Sequence, residues 1–310
     1  MPRFVIYHHV DFSSWKLQPA LYLYNDPKHL HLQSKSGWHV FTLQNESSAI
    51  MMARIAFHLK SGIAESPFRA PFGSIEIYRK ISKHQLDGFL KEVMERLSQL
   101  PVRKVIIKNF PTIYNERHAH LIHSGLSELK FTSHQEVDSC ILVGKGSFER
   151  GIKISERQKL KKSKSIFQFY QSDRHHLKRA YSFIQDCRAA KGQSLSMSLR
   201  DLQKVVRAFP NRFYIFEVGN KEEIAAAAIA IHVHKEILYT FYYAHTKKYD
   251  RISPIVFLIS GIYSFSKRKK ITKIDLGTSM LEGQVNRSLL HFKKSIGGVS
   301  SNKLTYSKSF

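Results

Sequence analysis

The chain has 310 residues, 43% of them hydrophobic and 12% aromatic, so it has room for two domains with sizeable cores; two cysteines without CxxC spacing, Cys140 and Cys187, exclude a disulfide framework and a structural zinc site. Lysine and arginine number 49 against 24 acidic residues, a net charge of +25 with histidine neutral. The excess is uneven, with 19 basic and 13 acidic residues in 1–150 but 30 and 11 in 151–310, and a field of that sign favours anionic partners without choosing among a phosphorylated cofactor, tRNA, an acidic lipid or an anionic sugar.

The N-terminus, Met1 to Val10, lacks the long apolar run of a signal peptide. Trp38–Leu43 reads as a strand. Ala53–Lys60 and Ile63–Ser66, separated by Ser61-Gly62, read as a hairpin. A loop punctuated by Pro67, Pro71 and Gly73 follows. Ser82 and Gln85 form a capping box, and Leu86, Phe89, Leu90, Val93, Met94 and Leu97 then recur at helical spacing. Val102–Ile107 reads as a buried strand, Tyr114–Leu129 as a helix and Val137–Val143 as another strand. Gly144–Gly151 reads as a connection, giving domains 1–150 and 151–310.

In the second half a basic segment, Lys153–Lys164, is expected to be helical with Ser155 as cap. Ile166–Tyr170 reads as a strand, Asp173–Lys191 as a long amphipathic helix and Leu199–Phe209 as a shorter one. Phe213–Val218, Ile224–Val233 and Ile237–Tyr243 read as a meander, with Gly219-Asn220-Lys221 as its first turn. Pro254–Lys270 reads as a helix with proline in its first turn. Its apolar part is too short to span a bilayer, and a cytoplasmic, reducing location is expected. Ile271–Leu276 reads as a strand, and Val285–Ser295 as a helix closed by Gly297-Gly298.

The order of strand, two helices, meander, helix, strand and helix over residues 150–300, with Ile274-Asp275-Leu276-Gly277 and Phe292-Lys293 before the paired glycines, resembles the FemAB-like branch of the GNAT-type acyltransferases. The first half follows the same plan less cleanly. The resemblance implies a mixed α/β protein of two tandem GNAT-like domains, each a mostly antiparallel sheet flanked by helices, the first degenerate. It implies transfer of an acyl group from an activated donor to an amine. Acyl-CoA is the first donor it offers and aminoacyl-tRNA the alternative. A non-catalytic nucleic-acid- or anion-binding protein on the same scaffold is the reading from another class. The acceptor amine is not legible, and the charge leaves room for peripheral membrane contact.

Within that frame Asp275 ends a buried strand, where it would orient the amine or take its proton. Lys293 would hold the donor or the charge developing on the transferred carbonyl. Tyr243, on the same strand face as Tyr239, would protonate the leaving group. The stretch between the fourth strand and the next helix has no glycine. Lys247, Lys248 and Arg251, with Ser253 as helix cap, are the expected cofactor contacts in place of a glycine-rich phosphate loop. Pro71 and Phe72 are expected to contact the acceptor, and Arg157 and Lys161 of the basic run an anionic substrate. Seventeen histidines include His8 and His9 beside Asp11, a group at His118, His120 and His123, and His232 with His234. None has a recognised ligand spacing, and no metal is expected.

Overall fold

A computed structural model of the chain describes residues 4–11, 19–220 and 222–310. Met1–Arg3 of the segment read for a leader and Lys221 of the expected turn lie outside the described residues. The chain divides into two units, Met1–Glu136 with Ser301–Phe310, and Val137–Ser300. The Gly144–Gly151 segment, expected to join two domains, therefore lies inside the second unit. There the Gly144 N–H donates to the Tyr263 hydroxyl at 3.1 Å, and Phe148 is buried in the core of that unit.

The first unit contains β1 (Phe4–Val10), α1 (Pro27–Gln33), β2 (Trp38–Asn45), β3 (Met51–Lys60), β4 (Ile63–Ser66), β5 (Glu76–Ile77), α2 (Lys83–Ser98), β6 (Lys104–Lys108) and α3 (Glu116–Glu128). The β3–β4 hairpin turns on Ser61 and Gly62, both at positive φ (52° and 78°), the geometry that a two-residue turn between twisted strands demands. The capping box closes the start of α2, with the Ser82 N–H donating to Gln85 Oε1 at 2.7 Å and the Gln85 N–H to Ser82 Oγ at 3.2 Å. Strands β1 to β4 are antiparallel neighbours, and β4 then pairs in parallel with β6.

Strand β7 (Thr132–Leu142) runs from the first unit into the second. The second unit continues with α4 (Ile154–Ile166), β8 (Gln168–Ser172), α5 (Leu177–Ala189), α6 (Leu199–Ala208), β9 (Phe213–Gly219), β10 (Ile224–His234) and β11 (Ile237–His245). It ends with α7 (Pro254–Arg268), β12 (Lys273–Thr278), β13 (Met280–Leu281), β14 (Gln284–Val285) and α8 (Arg287–Ser295), and β15 (Val299–Ser309) then returns to the first unit. Strands β8 to β11 are antiparallel neighbours, and β11 pairs in parallel with β12. The first unit's plan is thus repeated: four antiparallel strands, then one parallel crossover. The outermost position of the repeat is filled by β15 against β6 in the first unit and by β7 against β12 in the second. That is why the units do not divide at the middle of the chain.

Several expectations shift locally. The predicted helix from Asp173 is a single 3-10 turn over Arg174–His176 before α5 begins. Ser155 does not cap α4, whose N-cap is Lys153, with its backbone N–H held by the Ser295 carbonyl at 2.9 Å. Val285 belongs to the small β13–β14 hairpin, because Asn286 takes the N-cap of α8 by accepting the Leu289 N–H at 2.9 Å. Strands β1 and β15 and helix α1 have no counterpart in the sequence reading.

The core of the second unit lies between its sheet and α7. Ala225–Ala228 and Ala230 of β10 are buried, and their small side chains let α5 and α7 both approach this strand. Helix α7 is apolar almost all round, as a helix packed on several sides must be. Its Gly261 faces Phe169 of β8 so closely that an added Cβ would lie 2.1 Å from the ring. Gly261→Ala is therefore expected to lower the stability of this unit by about 1–3 kcal/mol, despite alanine's helix propensity. Gly88→Ala in α2, where nothing lies within 4 Å, is the control and is expected to be neutral or stabilising. Urea midpoints of the two variants check the contrast.

Candidate active site

The parallel pairing of β11 and β12 covers only Ile237↔Lys273, Leu238↔Ile274 and Tyr239↔Asp275. Beyond it the strands part, and side chains take over the bridging. Thr240 Oγ1 donates to the Asp275 carbonyl at 2.7 Å, and the Tyr243 hydroxyl donates to the Leu276 carbonyl at 3.2 Å. The gap opens into a cavity of about 690 Å³ lined by β11, the end of β12, the β13–β14 hairpin, α8, the start of α7 and the C-terminal end of α5. Every lining residue belongs to the second unit.

Lys293 is the most constrained group there. Its side chain runs back from α8 under the end of β12, leaving the residue 1% exposed. Its ammonium donates to the Gly277 carbonyl at 2.7 Å and to the Thr278 carbonyl at 2.9 Å. Both carbonyls are available because Gly277 has φ of 73°, a left-handed conformation that glycine adopts without strain. Two of the three ammonium protons are thus committed, and the residue still lines the cavity. Burial pulls its pKa down to about 8, while the carboxylates of Asp138 and Asp275 hold it up and the Arg188 guanidinium lowers it further.

Asp275 is 3% exposed and accepts the Gly277 N–H at 2.5 Å. It fixes the turn that presents the two carbonyls to Lys293 and is not among the residues lining the cavity. Tyr243 and Tyr239 line the cavity, while Tyr242 points away and accepts the Met197 N–H at 2.9 Å. Burial raises the pKa of Tyr243.

No family model matches the sequence, and no curated protein matches it. Among solved structures, FemX superposes with a TM-score of 0.70 at 11% identity, covering 93% of this chain and 92% of that one. The chain has a FemAB-like, GNAT-type fold. L-PGS from Bacillus licheniformis matches with a TM-score of 0.57 at 14% identity, over 90% of this chain and 85% of that one. A tandem GNAT protein from the clavulanic acid biosynthesis pathway matches with a TM-score of 0.50 at 5% identity, over 88% and 82%.

The start of α7, where cofactor contacts are expected from the sequence, has several of its backbone groups already bonded within the chain. Ser253 caps it in a left-handed conformation (φ 54°), with its own N–H given to the Tyr249 carbonyl at 2.9 Å. Pro254 has no N–H, and the Val256 N–H bonds the Ser253 carbonyl at 3.0 Å. Among the described residues that leaves the Ile255 N–H of the first turn without a backbone partner. Ser253 lines the cavity, but Lys247, Lys248 and Arg251 do not. Lys248 instead pairs with Glu223 at 2.6 Å, and the Asp250 carboxylate, bonded to His245 at 2.9 Å, lines the cavity.

The other sequence-derived residues lie elsewhere. Arg157 and Lys161 are exposed on α4, outside the cavity lining. Phe72 is buried in the first unit among Tyr22, Tyr24 and Tyr114, with Pro71 half-buried beside it. Among the described residues no group of three or more His, Cys, Asp or Glu is placed to hold a metal ion.

Arg188 and Lys191, which line the cavity from the end of α5, were not singled out from the sequence. The signal available was their position at the basic end of the helix read over Asp173–Lys191, Arg188 falling in the last turn of α5 and Lys191 in the turn that follows it. Asp138 had no local signal, since only the pairing of β7 with β12, Thr278↔Asp138, brings it near Lys293.

Proposed function

We propose that the second unit transfers an aminoacyl group from an ester donor to an amine. The observation that carries this reading is the Lys293 ammonium, held on two carbonyls where β11 and β12 part. A neutral amine attacks the donor carbonyl, and the C–N bond forms as negative charge gathers on the carbonyl oxygen. The third N–H of the Lys293 ammonium hydrogen-bonds that oxygen and stays on the lysine throughout. The tetrahedral centre then collapses, the C–O bond to the donor breaks, and the amine's proton ends on the departing hydroxyl. No covalent enzyme intermediate is needed, so the catalysis is positioning plus charge stabilisation. Asp275 acts here as a positioning residue, through the turn at Gly277.

Of the two donors implied by the resemblance, the site favours aminoacyl-tRNA over acyl-CoA. A CoA diphosphate needs several converging N–H groups or cations. The start of α7 offers few free N–H groups, the Asp250 carboxylate lines the same cavity as a like charge, and the cations there, Arg188 and Lys191, come from the end of α5 and the turn after it. The 3′-terminal ester of a tRNA makes no such demand, and the basic second half suits its phosphates.

The test is a thermal-shift titration with acetyl-CoA, uncharged tRNA and aminoacyl-tRNA, repeated at two salt concentrations. Stabilisation by tRNA that weakens with salt, with none from acetyl-CoA, is the expected result. Stabilisation by acetyl-CoA alone would overturn the choice of donor.

A further inference from the structure

A second basic feature of this unit lies outside the cavity. Between the start of α5 and the end of α6 runs a groove of about 560 Å³, with Leu177 and Val206 in its floor. Arg174 and Lys178 stand four residues apart on one wall, and Gln203 and Arg207 four apart on the other. The α-helical repeat sets Gln203 and Arg207 on one face of α6, while Arg174, in the 3-10 turn, and Lys178, in the first turn of α5, line the opposite wall. His175 adds a further group, and no acidic residue lines the groove. Among the described residues Arg174, Lys178 and Arg207 form no ion pair, whereas Lys159, Lys164, Lys204 and Lys248 of the same unit each have a carboxylate within 4 Å. A neighbouring recess of about 320 Å³ shares Arg174 and adds Gln171, Asn211 and Lys269, with Asp173 as its one acid.

Folding accounts for only part of this arrangement: Arg207 lies in the last turn of α6, where the dipole favours a cation, but Arg174 and Lys178 lie at the start of α5. Cations at the start of a helix oppose its dipole, and uncompensated cations facing one another across a groove repel. Together they make a track of positive charge and amide groups, the side chains that bind a sugar-phosphate backbone without reading its bases. A membrane surface would call for protruding apolar side chains, and the groove has none, since Leu177 and Val206 are both buried. The groove sits at one end of α5 and the cavity at the other, roughly 20 Å apart at the helical rise per residue. We infer that this groove is a second contact for the donor RNA, holding its backbone while the aminoacylated end enters the cavity. The inference rests on the reading of the donor as aminoacyl-tRNA.

The test compares the wild type with R174A/K178A/R207A, a triple variant of exposed residues whose folding is checked by circular dichroism. The probes are bulk tRNA and a short oligonucleotide ending in CCA, too small to span both places, with binding followed by anisotropy across a salt series. The expected result is tRNA binding weakened at least tenfold in the triple variant, with a salt dependence shallower by about two to three. Binding of the short oligonucleotide is expected to change less than twofold. Equal tRNA binding by the two proteins overturns the groove's role and leaves the donor reading intact. Absence of tRNA binding by the wild type overturns the donor reading and this inference with it. Loss in the variant of sedimentation with phosphatidylglycerol vesicles, with tRNA binding unchanged, assigns the groove to an acidic lipid surface and overturns the RNA role.

Discussion

Lys293→Met is expected to lower the rate of transfer by about 100- to 1,000-fold, the usual effect of removing one donor to a developing oxyanion. Methionine keeps much of the length and apolar character of the side chain while deleting the charge. The variant separates two roles for a buried lysine, because its pKa of about 8 lies within reach of a rate profile. If the ammonium stabilises the oxyanion, the protonated form is the active one. The rate is then flat below pH 8 and falls tenfold per unit above it. If neutral Lys293 acted as a base, the rate would rise through the same region. The profile should be recorded with a weakly basic acceptor that stays neutral throughout, so that the acceptor's own titration does not mask the limb. Lys293→Met is expected to remove the limb along with most of the rate. A variant with near wild-type rate, or a wild-type limb of the opposite sign, would refute the assignment.

Glu76→Ala is expected to destabilise the first unit by about 3–5 kcal/mol, the largest stability effect predicted for this chain. The Glu76 and Arg54 side chains are 1% and 3% exposed and meet at 2.5 Å. The carboxylate also accepts the Tyr22 N–H at 2.8 Å and the Tyr78 hydroxyl at 2.6 Å, and Arg54 reaches the Asn25 carbonyl at 3.2 Å. One buried ion pair thus ties the Tyr22–Asn25 segment to β3 and β5. Removing the carboxylate leaves the buried Arg54 guanidinium without its counter-charge, and that desolvated charge dominates the loss. The double replacement Arg54→Met with Glu76→Leu removes both charges and is expected to recover most of the stability, since apolar pairs often match the buried ion pairs they replace. Urea denaturation of the two variants checks the ordering. A single variant within 1 kcal/mol of wild type would contradict it.

Much of the fold was legible from the sequence because its main elements carry strong local signals. The capping box at Ser82, the Ser61-Gly62 turn and the alanine run of β10 each specify their own conformation, and their order pointed to the GNAT plan. Strands β1 and β15 were not legible. Their residues are mostly half-exposed, and the sequence Val-Ser-Ser-Asn-Lys-Leu-Thr-Tyr of β15 has too few buried positions to show an alternation.

The sequence by itself determined that Lys293 would follow a short buried strand and precede two glycines, since the helix and its termination are local. Tertiary structure decided what that lysine can do. Its low pKa comes from burial under β12. The carboxylate of Asp138 comes from a strand more than a hundred residues earlier, and the Arg188 guanidinium from the far end of α5. Electrostatics depends on distance through space, and a chain that pairs β7 with β12 sets those distances in a way that no local stretch of sequence encodes.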